Sequence, residues 1–310
     1  MAAIVGGQAQ SALYARECPV TSSSPDVTGR IERLFVYPIK SCAGVEVQQA
    51  LLQETGLEWD RAWMVVDEAG EFVTQRVLPR MALIRPQLKS SEMVLRAPGM
   101  LALHVSFDAV DQSARVRVWK DEVPAWDMGT LAAQWFSDFL GQKLRLVRFD
   151  PDVRRLSSLE WTGGVEAPVQ FSDAFALLVI SQAALDDLNT RLQTARHAPV
   201  GMERFRPNLV LSGIDAHDED RVDTFDVATG ADSIRLKPVK PCVRCPIPNI
   251  DPQSGVPSPE VGDTLQAYRQ DARMNGGITF GMNAIVLAGA GQVLRVGQSV
   301  AADYVFDAPA

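Results

Sequence analysis

The sequence predicts an α+β protein that is predominantly β, with an antiparallel sheet or partial barrel in its first half. Three observations carry this. Short runs rich in Val, Ile, Leu, Phe and Trp recur along the chain, punctuated by Gly, Pro, Asn and Asp. Few stretches show helical spacing of apolar residues. Strands and helices do not alternate strictly, so a parallel sheet built from βαβ units is not expected. A length of 310 residues fits about two domains.

The elements follow in order. Residues 1–28 are rich in Ala, Ser, Gly and Gln; they lack a basic start and a sustained apolar core, so they are expected to form a flexible leader and not a secretory signal. From Ile31, I-E-R-L-F-V-Y-P-I-K is a strand that stops at Pro38. V-E-V-Q-Q-A-L-L is a second strand. R-A-W-M-V-V-D and E-F-V-T-Q-R flank Glu68-Ala69-Gly70 as a hairpin. Further strands are expected at 93–96, 101–107 and 114–119. Residues 129–140 form a helix capped by Thr130, with Trp135, Phe136, Phe139 and Leu140 as its apolar stripe and Gly141 at its end. K-L-R-L-V-R-F is a strand. Pro151, Gly163, Gly164 and Pro168 break up the next stretch, which places a linker at 151–170 between domains at 29–150 and 171–305. A-F-A-L-L-V-I suits a buried strand, and Ser181 caps a helix to about Leu192 with Leu185, Leu188 and Leu192 on one face. F-R-P-N-L-V-L-S-G, S-I-R-L, I-T-F-G-M-N-A-I-V and Q-V-L-R-V are strands, with a short helix near 263–268.

Composition excludes several functions. Thirty basic against 38 acidic residues leave a net charge of −8, which argues against nucleic acid as a partner, since phosphate neutralisation needs a basic face. His104, His197 and His217 have no metal-binding spacing, so a histidine-built zinc site is not expected. No G-x-S-x-G marks a serine nucleophile. No run approaches the ~18 apolar residues of a membrane span. Four cysteines and no signal point to a reducing, cytoplasmic setting.

Cys18 and Cys42 stand alone, whereas Cys242 and Cys245 form C-V-R-C inside K-P-V-K-P-C-V-R-C-P-I-P-N-I-D-P-Q-S-G. Prolines at 238, 241, 246, 248 and 252 make this an extended, stiff segment. A thioredoxin-like pair normally opens a helix, which these prolines disfavour. A structural zinc site lacks its second pair of ligands. Plain packing is the third reading. Lys237, Lys240 and Arg244 flank the thiols, and cations beside a thiol favour the thiolate that binds soft metals.

K-P-C-V-R-C-P-I-P-N-I-D-P-Q-S-G resembles the cysteine loop of MOSC-domain proteins, the molybdenum-cofactor sulfurase C-terminal family, and F-R-P-N-L-V-L-S-G resembles the strand before it. L-F-V-Y-P-I-K-S-C-A-G, W-D-R-A-W-M-V-V-D and V-T-Q-R-V-L-P-R-M-A-L-I resemble the β-barrel domain that precedes many MOSC domains. The resemblance runs from about Ile31 to Val300 and is strongest in style to amidoxime-reducing components and bacterial N-hydroxylated-base reductases. It implies an N-terminal MOSC β-barrel domain plus a MOSC β-barrel domain with a few helices. It also implies a molybdenum-molybdopterin cofactor, with Cys245 as the metal ligand and catalytic centre. Lys40, Ser41, Arg61, Asp173, Ala174, Arg206, Asn208, Val243 and Arg244 match its cofactor-binding positions. Independently, lysines and arginine forks suit a phosphorylated pterin, and Ser and Asn suit its polar edges. Two departures bear on the pocket: Pro248-Asn249 stands where the family often has two threonines, and Ala174-Phe175-Ala176 follows Asp173 in place of Gly-Tyr-Pro.

The resemblance implies two-electron reduction of N-hydroxylated substrates such as amidoximes or hydroxylamines, with the cofactor carrying the redox step. Asp251 is either a proton donor or the cap of the turn 251–255. The C-x4-C-x2-C spacing of a plant-type iron–sulfur domain is absent from the sequence, so electrons are expected from a separate ferredoxin-like protein or flavin reductase. The alternatives are a module that binds the cofactor or carries sulfur on Cys245, and a thiol redox protein using both Cys242 and Cys245.

Overall fold

The computed structural model describes residues 24–230 and 233–305. The leader up to residue 23, with Cys18, lies outside the described residues. The chain is mostly β, and its centre is a closed seven-stranded barrel. In chain order the elements that matter here are β1 (Val27–Val36), β2 (Trp63–Val66), β3 (Arg85–Leu88), β4 (Glu92–Arg96), β5 (Leu103–Ser106), β6 (Gln112–Val118), β7 (Asp121–Asp127), α1 (Thr130–Leu140) and β8 (Arg145–Phe149). Then come β9 (Leu177–Ser181), α2 (Gln182–Thr194), β10 (Leu209–Ser212), β11 (Val222–Ala228), β12 (Ser233–Val243), α3 (Glu260–Gln266), β13 (Gly277–Ala288) and β14 (Ser299–Tyr304).

The barrel runs β9-β10-β1-β14-β11-β12-β13 and closes by pairing β13 with β9. Going once round a ring of seven strands, the direction must reverse an even number of times, so at least one neighbouring pair is parallel. That pair is β9 with β10, and α2 makes the crossover between them, as a parallel pair requires. Ser181 caps α2 as the sequence predicts, its Oγ accepting from the Ala184 N–H at 3.2 Å. Leu185, Leu188 and Leu192 pack on Phe35, Phe205 and Phe280 outside the barrel. Ile31, Leu34, Val179, Leu209, Phe225 and Leu236 belong to the main core. Where β13 meets β9, Gly281 (φ +79°) is required: a Cβ there would lie 2.5 Å from Ile180.

The first half supplies two antiparallel sheets, β2-β8-β7-β6 and β3-β4-β5, packed with α1 around Trp63, Phe136 and Phe139. One strand crosses the sequence division between residues 29–150 and 171–305. β1 pairs with β10 and β14 and is a stave of the second barrel. Residues 27 and 28, assigned to the leader by composition, already pair with Ala302 and Ala301.

Three local expectations change. V-E-V-Q-Q-A-L-L is split, because Val45–Val47 pairs with β1 while Gln49–Gln53 pairs with Val293–Arg295. E-F-V-T-Q-R makes only isolated bridges, Glu71 with Arg117 and Phe72 with Val66, and then runs as a loop. Thr130 does not cap α1; Gly129 (φ +86°) turns the chain into the helix, and its N–H donates to Asp127.

Asp218–Asp220 forms a short 3₁₀ turn against β9, β12 and β13. Glu219 is fully buried there, with the Ser181 hydroxyl and N–H facing its carboxylate. Burial, with the negative charge of Asp220, pushes its pKa up to about 7. The folded protein therefore holds this proton more tightly than the unfolded chain. The stability it contributes is present below about pH 4.3 and lost as pH rises through about 7. Glu219→Gln is expected to flatten this slope and to gain about 2 kcal/mol over the parent at about pH 8 in urea denaturation. A parent and variant with parallel pH–stability curves would contradict the assignment.

Candidate active site

A cavity of about 270 Å³ opens where the end of β12 meets the loops after β1 and before β2, β9 and β10. Lys40 and Ser41 enter from the turn after β1, and Arg61 from the turn before β2. Asp173 and Ala174 come from the segment before β9, Arg206 and Asn208 from the approach to β10, and Val243, Arg244 and Cys245 from the end of β12. Segments far apart in sequence thus bring all ten residues to one wall system.

The end of β12 is shaped by its prolines. Pro238 and Pro241 cannot donate to the ladder, and the pairing with β13 slips in register beside each. The strand stops at Val243, the Arg244 N–H still donates to Ile278, and Cys245 lies free beyond it. The expected extended loop is therefore a bulged strand as far as Val243. Cys242 and Cys245 are both half-buried free thiols. Cys242 accepts from Arg244 Nη1 at 3.0 Å and packs beside the Phe205–Phe280 cluster. Cys42 is fully buried, and burial pushes its thiol up to about 12, which makes it unreactive packing.

Charge is the cavity's main property. Lys40, Arg61, Arg76, Arg206, Lys240 and Arg244 line it against one carboxylate, Asp173. Lys40 is buried; its Nζ donates to Phe171 O at 2.8 Å and to Asp173 Oδ1 at 2.5 Å. Burial lowers the Lys40 pKa, and Asp173 opposes that loss. The cavity wall partly desolvates Asp173, which alone would raise it, but Lys40, the Trp119 N–H and Arg76 hold its carboxyl well below the usual range although the side chain reaches solvent. Arg206 is brought down to about 10 by burial and by the charge of Arg61. It donates to Cys42 O at 2.6 Å and pairs with no carboxylate among the described residues. Arg61 pairs with Asp60 and donates to Asn208 Oδ1 at 3.0 Å and Arg206 O at 3.1 Å. Both guanidinium groups lie over the Tyr37 ring, at 4.5 and 4.3 Å. The Nε of Arg244 is buried without a hydrogen-bond partner among the described residues.

Ser41, Arg61 and Arg206 have φ of +68°, +51° and +60°. Non-glycine residues seldom adopt this region, and such strain gathers at functional sites. No sequence signal marks an arginine for it.

Asn208 differs from its expected role on a pterin edge. Its Oδ1 accepts from Arg61 and from the Leu178 N–H, and its Nδ2 donates to Phe35 O. The carboxamide is used within the protein, so Asn208 positions Arg61. Asp251 lies outside the cavity: it accepts from the Gln253 and Ser254 N–H groups and pairs with Arg204 at 3.1 Å. Of its two expected roles the geometry supports the turn cap. Thr74, Arg76 and Asn283 line the cavity although the sequence reading does not name them, and Lys240, one of the cations flanking the thiols, lines it too. Arg76 and Lys240 fell within the quoted motifs, and counting cations there was the available signal. Lys237 instead pairs with Asp223 at 3.2 Å, away from the cavity.

Residues 28–143 match the MOSC N-terminal β-barrel domain and residues 166–301 the MOSC domain. The chain is 37% identical over 251 residues to mitochondrial amidoxime-reducing component 1 of Mus musculus, covering 78% of this chain and 72% of that protein. Mitochondrial amidoxime reducing component 2 of Homo sapiens is 34% identical over the same shares. Molybdenum cofactor sulfurase of Bos taurus is 29% identical over 77% of this chain but only 29% of its own length.

The bonding at Asn208 and Asp251 predicts unequal costs. Asn208→Ala strands the Leu178 N–H, the Phe35 carbonyl and one Arg61 N–H, for about 3 kcal/mol. Asp251→Ala removes an exposed cap and ion pair, for about 1 kcal/mol. Urea denaturation of both variants checks this; equal losses would contradict it.

Proposed function

The chain belongs to the MOSC-domain family with an N-terminal MOSC β-barrel domain, and on that premise we propose that it is a molybdenum-cofactor-dependent oxidoreductase that reduces N-hydroxylated compounds such as amidoximes and hydroxylamines. The observation that carries this is a pair of half-buried free thiols, Cys245 and the Arg244-bonded Cys242, in a cavity lined by six cations and one carboxylate, within a protein of net charge −8. The names of the relatives, amidoxime-reducing component and molybdenum cofactor sulfurase, point the same way.

The residues present fit a molybdenum-molybdopterin cofactor. Among the described residues Arg206 pairs with no carboxylate and the buried Arg244 Nε has no hydrogen-bond partner, and an anionic ligand relieves the repulsion between Arg61 and Arg206. When bound, the cofactor would supply two-electron removal of the N–OH oxygen. Cys245 would hold the metal. Lys40, Arg61, Arg206 and Arg244 would hold the phosphate and the polar edge, with Arg76 and Lys240 adding charge. Ser41 and the backbone at Ala174 and Val243 would line the ring. Asp173 keeps a proton on Lys40 Nζ, and Asn208 orients Arg61. For an amidoxime, two electrons and two protons give the amidine and water. Asp251, outside the cavity, has no part in these steps.

Electrons would come from a separate ferredoxin-like or flavin-containing protein. The setting is a reducing cytoplasm, in keeping with Cys42, Cys242 and Cys245 all being free. Among the described residues no helix is long and apolar enough to cross a membrane. A second reading, a module that binds the cofactor or carries sulfur on Cys245, is favoured by the half-buried thiol and by the sulfurase relative.

Elemental analysis of protein made in a molybdenum-replete host, followed by amidoxime turnover with an artificial electron donor, tests the proposal. The parent is expected to contain molybdenum and to turn over. Cys245→Ala is expected to lose more than about 100-fold in rate, beyond the effect of an outer contact, and Cys242→Ala far less. Metal without turnover would support a cofactor-binding module, and a parent without metal would overturn the reductase.

A further inference from the structure

Trp119 is a bulky residue in a conformation that suits glycine or asparagine. It and Lys120 form the two-residue turn between β6 and β7, where Val118 pairs with Asp121, and its φ is +57°. Core packing does not explain it, since Trp119 is 47% exposed. What the turn delivers is the indole N–H, which donates to Asp173 Oδ1 at 3.1 Å. The same oxygen accepts from Lys40 Nζ at 2.5 Å. Arg76 lies over the indole at 4.8 Å and Phe72 packs against it at 5.0 Å, so the ring is held on two sides.

The same hairpin grips the Asp173 segment a second time. Asp121, at the start of β7, pairs with Arg155 at 2.9 Å, and Arg155 donates to the carbonyls of Gln170, Ser172 and Asp173. The backbone before β9 is thus fixed by Arg155, and the Asp173 side chain by Trp119. That second tie matters because the Asp173 side chain is 60% exposed and, untied, would be free to turn into water. The other neighbours named for Lys40 compensate its charge only in part. Arg61 and Arg155 repel it, burial disfavours it, and the Phe72 ring at 5.5 Å and the Phe171 carbonyl give only partial compensation.

We propose that Trp119 is a positioning residue for the cofactor site: by pinning Asp173 against Lys40 it keeps a buried positive charge where an anionic cofactor would sit. This rests on the proposed cofactor role of Lys40. Trp119 touches no reacting group; it acts through Asp173. Trp119→Phe keeps an aromatic ring for Arg76 and Phe72 and removes only the N–H. In that variant Asp173 is released, and Lys40 gives up its proton at lower pH.

The experiment has two readouts. The first is the pH titration of the Lys40 ε-methylene carbon by NMR in ¹³C-lysine-labelled protein free of cofactor, assigned by its loss in Lys40→Arg. A lower midpoint in Trp119→Phe than in the parent is expected. The same midpoint in both folded proteins would overturn the proposal. Should Trp119→Phe fail to fold, Trp119→His supplies an aromatic ring with a donor, and a midpoint unlike the parent's would count against the proposal. The second readout is the molybdenum retained after gel filtration at mildly acid and at mildly alkaline pH. Trp119→Phe is expected to match the parent in acid and to retain less in alkali. A shifted Lys40 midpoint with unchanged metal retention would leave the pin standing and contradict the cofactor role of Lys40.

Discussion

The carboxamide of Asn208 is the joint on which barrel and cavity both depend. Its three hydrogen bonds reach Phe35 on β1, Leu178 on β9 and the guanidinium of Arg61. The first two fasten the strand borrowed from the front of the chain to the only parallel pair of the barrel. The third carries that rigidity into the cavity. Because the amide is buried, each of these bonds is costly to leave unmade, so the position of Arg61 is set by the barrel and not by its own flexible side chain. Arg206, two residues before Asn208, is held by the Cys42 carbonyl and the Tyr37 ring in the same manner.

What this scaffold holds apart is like charge. Six cations around one carboxylate repel one another, and the lowered pKa values of Lys40 and Arg206 record that repulsion together with the burial. Six of the 30 basic residues of a protein with net charge −8 share this one cavity. The left-handed conformations of Ser41, Arg61 and Arg206 are part of the same arrangement, since they aim side chains that an unstrained turn would send elsewhere. The cavity is therefore preorganised for an anion, with the half-buried thiols of Cys242 and Cys245 on its wall.

Much of this was legible in the sequence. The apolar runs gave the staves, Ser181 and Gly141 marked helix ends, and the motif residues at 40, 41, 61, 173, 174, 206, 208 and 243–245 share one cavity. Pairing partners are not legible, because an apolar strand announces burial without naming its neighbour; hence the sequence does not show that β1 completes the barrel of the second half, or that 45–52 divides between two partners. The roles of Asn208 and Asp251 turned on hydrogen bonds that only the folded chain defines. Trp119 carried no signal at all, since its importance lies in a turn conformation that its residue type does not suggest.

The central claim is that Cys245 is the single protein thiolate on the metal, with Cys242 held off it by packing and by Arg244. X-ray absorption at the molybdenum edge measures this directly. Relative to the loaded parent, Cys245→Ser is expected to show one sulfur scatterer fewer, and Cys242→Ser the same number as the parent. Equal sulfur counts in parent and Cys245→Ser, or a loss in Cys242→Ser instead, would contradict it.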